Sequence, residues 1–102
     1  MNQVIKLNLT KAIIKSDSRR IEDGRPLILN KNRLSKLLEA RYPDECSYES
    51  VNNFLYKATR REKGYSMKHT KGFAPMVIDR LCEVLEVAKT ELVIEDQASS
   101  FV

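Results

Sequence analysis

A helix with a polar outer face, followed by a basic run, holds the residues with the clearest chemical use. From Ser47 to Arg60 the apolar spacing predicts an amphipathic helix. On its outer face an amide can pair with adenine, a hydroxyl or phenol can bond a base or a phosphate, and a lysine or arginine can reach guanine or phosphate. By helical geometry that face holds Glu49, Asn52, Asn53, Tyr56, Lys57 and Arg60, with Tyr48 at the flank.

The basic run that follows this polar face is the feature that favours a binding function for it. A polar outer face is the default for any amphipathic helix in water, and by itself it indicates no function. Here the face is low in acidic residues, and the segment after it has only one carboxylate, Glu62. This pattern favours a polyanionic partner. The basic residues are Lys57, Arg60, Arg61, Lys63, Lys68 and Lys71.

Enzyme chemistry has little support in the sequence. His69 is the only histidine, which excludes a metal site built on a histidine pair. Cys46 and Cys82 lack CxxC spacing and lie among apolar residues, so two reduced core thiols are expected rather than a disulfide. Glycine-rich phosphate-binding motifs are absent. We therefore expect no enzymatic activity, no cofactor and no bound metal.

Length and charge fit one small basic domain. The chain has 102 residues, of which 42% are hydrophobic, enough for a single modest core. We expect a domain over residues 1–96 and a flexible tail over 97–102. The net charge is +4, with the positive charge concentrated in residues 1–73 and an acidic excess after them. No apolar run is long enough for a secretion signal or a membrane span, so we expect a cytoplasmic protein with no membrane partner.

The elements that would position these residues are mostly helices, since glycine and proline are sparse. A first helix is predicted from Ile5, Leu9, Ala12 and Ile13, although Ile5, Leu7 and Leu9 also alternate as in a short strand over 4–9. Asp23-Gly24 breaks the chain. A second helix, capped by Asn30, has an apolar stripe at Leu34, Leu37 and Leu38 and ends at Tyr42-Pro43.

Three further segments complete the expected fold. Ser47 is the predicted cap of the third helix, whose inner face holds Val51, Phe54, Leu55 and Ala58. Residues 64–72 are rich in turn formers and fit either a loop or a short hairpin. A fourth helix is predicted with Pro75 in its first turn, and a short last helix over Lys89 to Ile94.

Three segments resemble the Cro/C1-type (XRE-like) helix–turn–helix family. LNKNRLSKLLEA is similar to the second helix of that family, with the small Ser35 where helices must approach closely. SYESVNNFLYK is similar to its recognition helix, and APMVIDRLCEVLEVAKTELV to its last two helices. The sequence departs from the pattern in its long spacing between Leu34 and Ser47, in Glu86 where glycine is common, and in Ala88 where a capping serine is common.

The resemblance implies an all-α, compact five-helix bundle of the lambda-repressor-like type that binds double-stranded DNA as a homodimer. The dimer would form through the first helix or the C-terminal helix. A winged helix with residues 64–72 as the wing is the structural alternative. The residues implied to face bases are Tyr48, Glu49, Ser50, Asn52 and Asn53. Those implied to contact phosphates are Lys31, Ser47, Lys57, Arg60, Arg61, Lys63, Lys68 and Lys71.

The implied function is a small transcriptional repressor. Glu49 must either accept a hydrogen bond from a cytosine amino group or turn aside and restrain a neighbouring cation. The alternative function is an antitoxin-like or adaptor module whose basic patch meets a protein partner such as a toxin or a phage or plasmid protein. RNA binding is a third alternative, although no aromatic RNA-binding strand or GXXG loop is present.

Overall fold

A computed structural model describes residues 4–59, 65–66 and 72–94 of the chain. Within those ranges the protein is mostly helical, with one small antiparallel sheet. The helices are α1 (Leu9–Asp23), α2 (Lys31–Arg41), α3 (Tyr48–Ala58), α4 (Phe73–Leu85) and α5 (Lys89–Leu92). The strands are β1 (Val4–Leu7), β2 (Tyr65–Ser66) and β3 (Val93–Ile94).

The N-terminal segment forms a strand where a helix was the first expectation. The predicted helix included Ile5, but the chain is extended as β1 and turns into α1 only at Leu9. Ile5 and Leu7 are both buried and Lys6 between them is half-buried, which is the alternation typical of a strand. The short-strand alternative is therefore the correct one over Val4–Leu7.

Strand β1 lies at the centre of the sheet, whose order is β2-β1-β3. Val4 pairs with Ser66 on one side, and Leu7 pairs with Val93 on the other, both antiparallel. The expected predominance of helix is therefore confirmed, and the structure adds a small sheet with β1 as its central strand. The predicted last helix also ends earlier than expected, at Leu92, because the next two residues pair with β1.

The core is built by the apolar stripes of α2, α3 and α4, as the sequence predicts. Phe54 of α3 is fully buried and meets Phe73 of α4 edge to face, with ring centroids 6.2 Å apart. The remaining core includes the predicted inner residues of these helices, namely Leu34, Leu38, Val51, Leu55, Ala58, Val77, Ile78, Leu81, Val84 and Leu85.

The predicted helix boundaries at Gly24, Asn30 and Ser47 are confirmed. Gly24 follows α1 at φ +71°, a left-handed conformation that glycine adopts without strain. The Asn30 side chain accepts a hydrogen bond from the Arg33 amide at 2.9 Å and so caps α2. Pro75 falls in the first turn of α4. No helix in the described ranges has the length and apolar character needed to cross a membrane.

Two expectations fall wholly or partly outside the described residues. Of residues 64–72, the structure gives Tyr65 and Ser66 as strand β2, whose partner is β1 rather than a strand of the same segment. Residues 67–71 and the tail 97–102 lie outside the described ranges. Whether the segment forms a wing therefore stays a prediction.

Candidate nucleic-acid interface

The N-terminus of α3 is fixed by two side chains that accept hydrogen bonds from its free amides. The Ser47 hydroxyl accepts from the Ser50 amide at 3.2 Å, which is the predicted cap. The Glu39 carboxylate, on α2, accepts from the Tyr48 amide at 2.9 Å. Since the first amides of a helix have no partner within it, both bonds stabilise the start of α3 and tie it to α2.

The six-residue turn between α2 and α3 is fastened to α4 by Arg80. Its guanidinium donates to both oxygens of Glu45, at 2.7 and 3.1 Å, and to Glu83 at 2.8 Å. It also lies 4.8 Å from the centroid of the Tyr42 ring. The hydrogen bonds from Arg80 lower the pKa of the Glu45 and Glu83 carboxyl groups below their usual value. The turn is therefore held in place from two ends, which sets the direction in which α3 leaves it.

Helices α2 and α3 approach closely at Ser35. This side chain is fully buried, as the resemblance implied for a small residue at the crossing. Its hydroxyl donates to the Lys31 carbonyl at 2.9 Å and lies 3.3 Å from the side-chain oxygen of Asn52. Asn52 is half-buried, so part of its amide faces α2 rather than the solvent.

The outer sides of α2 and α3 form one continuous polar surface. Lys36 places its ammonium 5.9 Å from the centroid of the Tyr48 ring, and Lys31 lies at the same distance from the Tyr56 ring. These contacts align two lysines of α2 along the length of α3. We call this area the α2–α3 surface; it consists of Lys31, Lys36, Tyr48, Glu49, Ser50, Asn52, Asn53, Tyr56 and Lys57.

The structure brings the predicted base-facing residues together on this surface. Glu49, Ser50 and Asn53 are exposed, whereas Tyr48 and Asn52 are half-buried. The side-chain amide of Asn53 has no hydrogen-bond partner among the described residues, so it is open to a ligand. Glu49 forms no ion pair within the same part of the chain, so the structure does not show the restraint of a neighbouring cation.

The predicted phosphate contacts divide into two groups. Lys31 is half-buried at the start of α2, while Ser47 and Lys57 are exposed at the two ends of α3. The other five, Arg60, Arg61, Lys63, Lys68 and Lys71, lie outside the described residues.

Sequence reasoning gave no role to two residues of α2 that contact α3, namely Lys36 of this surface and Glu39 beside it. Both meet α3 through contacts between residues nine or more positions apart in the chain, which no local spacing rule reveals. Tyr56 was placed correctly on the outer face, where it is 52% exposed, but without a function.

Metal or nucleophilic chemistry finds no support in the described ranges. No cluster of three or more histidine, cysteine or acidic side chains that could hold a metal ion occurs there. Cys46 and Cys82 are free thiols, and desolvation raises the pKa of both. A thiol with a raised pKa is a poor nucleophile at neutral pH, which fits core packing. His69 lies outside the described residues.

Comparisons with known proteins give no independent assignment: no protein-family model matches the chain, nor does any curated protein or solved structure. The resemblance to the Cro/C1-type family thus rests on the sequence segments alone. Any function must be argued from the surface itself.

Proposed function

We propose that the protein is a sequence-specific DNA-binding regulator that reads the major groove with α3. In this proposal α2, the turn and α3 act as a helix–turn–helix within a lambda-repressor-like arrangement, extended by the small sheet. The observation that carries the proposal is the α2–α3 surface, where amide and hydroxyl groups lie along a firmly anchored helix flanked by Lys31 and Lys36.

The anchoring of α3 supports this role. A helix that reads base edges must be held rigidly, because a displacement of its side chains breaks the paired hydrogen bonds that distinguish one base from another. Here the inner face of α3 is fully buried, its N-terminus is capped by Ser47 and Glu39, and the preceding turn is fixed by Arg80.

The charge distribution divides the surface into two roles. Asn53 and Ser50 are short polar side chains near the middle and start of α3, and they suit base edges. Lys31, Lys36 and Lys57 lie around them and suit phosphates, since a flexible ammonium replaces condensed counterions but reads sequence poorly. Among the described residues Glu49 is the one acidic side chain of this surface, and it would accept from a cytosine amino group.

Dimerisation through α1 is part of the proposal. Ile14 and Ile21 lie seven residues apart on one face of α1 and are 61% and 66% exposed, while the adjoining Leu29 is 56% exposed. Large apolar side chains clustered in solvent are typical of an interaction surface. Between the two helices left open by the sequence, this favours the first over the C-terminal one.

The test is DNA binding with paired variants at several salt concentrations, beginning with footprinting on the DNA upstream of the protein's own gene. We expect Asn53→Ala to change the order of preference among operator sequences while leaving the salt dependence intact. Lys57→Ala should weaken binding to every sequence and reduce the slope of log K against log salt by about one unit. Lys89→Ala on α5, which removes a lysine outside the α2–α3 surface, is the matched control and should change neither property.

The proposal fails if the wild-type protein shows no preference for any sequence over random DNA. The assignment of roles fails separately if Asn53→Ala and Lys57→Ala have the same effect on sequence preference and salt slope. A high ratio of absorbance at 260 to 280 nm that falls after a high-salt wash would give an early indication of bound nucleic acid.

A further inference from the structure

A second feature of the molecule is an apolar groove beside the α2–α3 surface. Pro26, Leu27 and Ile28, in the connector between α1 and α2, form one wall, and Leu37 of α2 forms the other. The groove has a volume of about 510 Å³, and its lining is predominantly apolar. We call it the connector groove. Its volume is sufficient for two or three large side chains of a ligand.

The connector wall is held rigidly, so the groove exists before any ligand binds. The Asp17 carboxylate accepts from the amides of Ile28 and Leu29, at 2.8 and 2.9 Å. From the same helix, Arg20 donates to the Pro26 carbonyl at 3.1 Å. Two side chains of α1 thus hold the wall at Pro26 and Ile28 and the residue that follows it, Leu29. A preformed apolar site binds with a smaller loss of conformational entropy than one that must be assembled.

The charged residues that line the groove are all positive. Arg33 and Lys36 stand exposed at its rim, and Arg20, only 9% exposed, lines it from α1. The three hydrogen bonds of the Arg20 guanidinium go to neutral oxygens, those of Ser16, Pro26 and Val84. Within the described residues Arg20 forms no ion pair with a carboxylate. Because no carboxylate in this part of the chain contacts it, this buried cation adds to the positive potential of the groove, although its charge also acts at longer range on the Glu86 carboxylate.

We propose that the connector groove is a docking site for an acidic segment of a partner protein. In this site one or two large apolar side chains of the segment pack between Leu27 and Leu37, and its carboxylates meet Arg33 and Lys36. The combination of apolar walls with a positive rim selects this occupant over nucleic acid, because the phosphates of DNA would satisfy the rim but leave the apolar walls unfilled. The proposal does not depend on the function of α3.

The probe is a phage-displayed library of random peptides about twelve residues long, a length that spans a groove of this kind. The library is selected on the purified full-length protein and depleted on the Leu27→Asp variant. We expect the enriched peptides to combine large apolar residues with several aspartates or glutamates. A synthetic peptide of the enriched sequence, added to ¹⁵N-labelled protein, should shift the amide resonances of residues 27–28 and 33–37.

Matched variants test the two components of the site. Leu27→Ala should weaken peptide binding about tenfold, the usual scale for removing an apolar anchor, whereas Ile94→Ala, which truncates an exposed apolar side chain outside the groove, should not. Arg33→Gln should lower the affinity for the peptide about threefold and reduce the salt dependence of peptide binding, as expected for a charge at the rim of a site. Arg41→Gln, on the same helix but away from the groove, should leave both unchanged. If Leu27→Ala does not fold, the comparison of Arg33→Gln with Arg41→Gln still tests the proposal, because both side chains are exposed.

The proposal is overturned if no peptide is enriched over the depleted variant, or if the enriched peptides lack acidic residues. It is also overturned if the shifted resonances lie elsewhere, or if each test variant behaves like its control. Amide shifts at residues 27–28 and 33–37 caused by double-stranded DNA, without any from the peptide, would instead assign the groove to nucleic acid. Because Lys36 belongs to both surfaces, none of the test variants alters it, and the two proposals can fail independently.

Discussion

Removing the carboxylate of Asp17 should destabilise the protein, because this side chain attaches the connector to α1. Asp17 is half-buried on α1 and accepts from two successive amides of the connector, Ile28 and Leu29. It also holds Leu29 at φ +71°, a left-handed conformation that is unfavourable for a leucine. In Asp17→Ala both amides lose their charged acceptor, and the connector loses its attachment to α1.

The cost follows from the two hydrogen bonds. A hydrogen bond to a charged acceptor contributes roughly 1.5–3 kcal/mol, and the lower end applies here because water can reach part of the site. Since water will partly replace the lost acceptor, we expect Asp17→Ala to lower the free energy of unfolding by about 2 kcal/mol, and the melting temperature by about 10 °C. Asp17→Asn keeps one acceptor oxygen and should lose about half as much.

Urea and thermal unfolding followed by circular dichroism would measure these values. Asp44→Ala is the control, because Asp44 is exposed in the turn after α2 and forms no ion pair among the described residues; its change should stay within about 0.5 kcal/mol. An Asp17→Ala variant as stable as the control would refute the reasoning, since it would mean that water satisfies the connector as well as the carboxylate does.

Three further predictions concern acid stability, a helix cap and assembly. Because Arg80 lowers the pKa of the Glu45 carboxyl in the folded protein, the unfolded chain binds protons more readily. The free energy of unfolding should therefore decline as the pH falls below about 4.5, and it should decline less steeply in Glu45→Gln. Urea titrations from pH 6 to 3 would measure both slopes. Ala88→Ser supplies the missing cap of α5 and should raise the free energy of unfolding by about 0.5–1 kcal/mol in thermal melts, whereas unchanged stability would contradict the cap geometry. Ile14→Lys on α1 should convert a dimer to a monomer in light scattering, and a monomeric wild type would refute dimerisation.

Two departures from the Cro/C1-type sequence pattern, at Glu86 and in the spacing before Ser47, correspond to specific contacts in the structure. Glu86 ends α4 at φ +57°, where glycine is common, and it is held there because its carboxylate accepts from Arg25 at 3.2 Å and its carbonyl accepts from Arg19. The Arg25 hydrogen bond lowers the pKa of the Glu86 carboxyl. Likewise, the long spacing before Ser47 is taken up by a six-residue turn fastened by Arg80. In both places arginines from distant segments replace what a glycine or a tight turn would otherwise provide.

The sequence by itself determined helices α2, α3 and α4 and the caps of α2 and α3, but not the start of α1 or the end of α5. The apolar stripes of α2, α3 and α4 have a helical period that no competing pattern matches, and the caps at Asn30 and Ser47 depend on residues only three positions apart. Such signals are local, so they can be read without knowing the rest of the fold. For the same reason the polar face of α3 could be placed before the structure was known.

Only the tertiary structure decided the state of residues 4–7 and the surroundings of α3. The spacing of Ile5, Leu9, Ala12 and Ile13 favours a helix, with a strand only as the alternative. The strand is decided by pairing with Tyr65–Ser66 and Val93–Ile94, which lie far along the chain. Distant segments likewise meet where Lys36 contacts Tyr48, where Arg80 binds Glu45, and in the connector groove. Local periodicity fixes which residues share a face, but the partner of that face depends on how the whole chain buries its apolar surface.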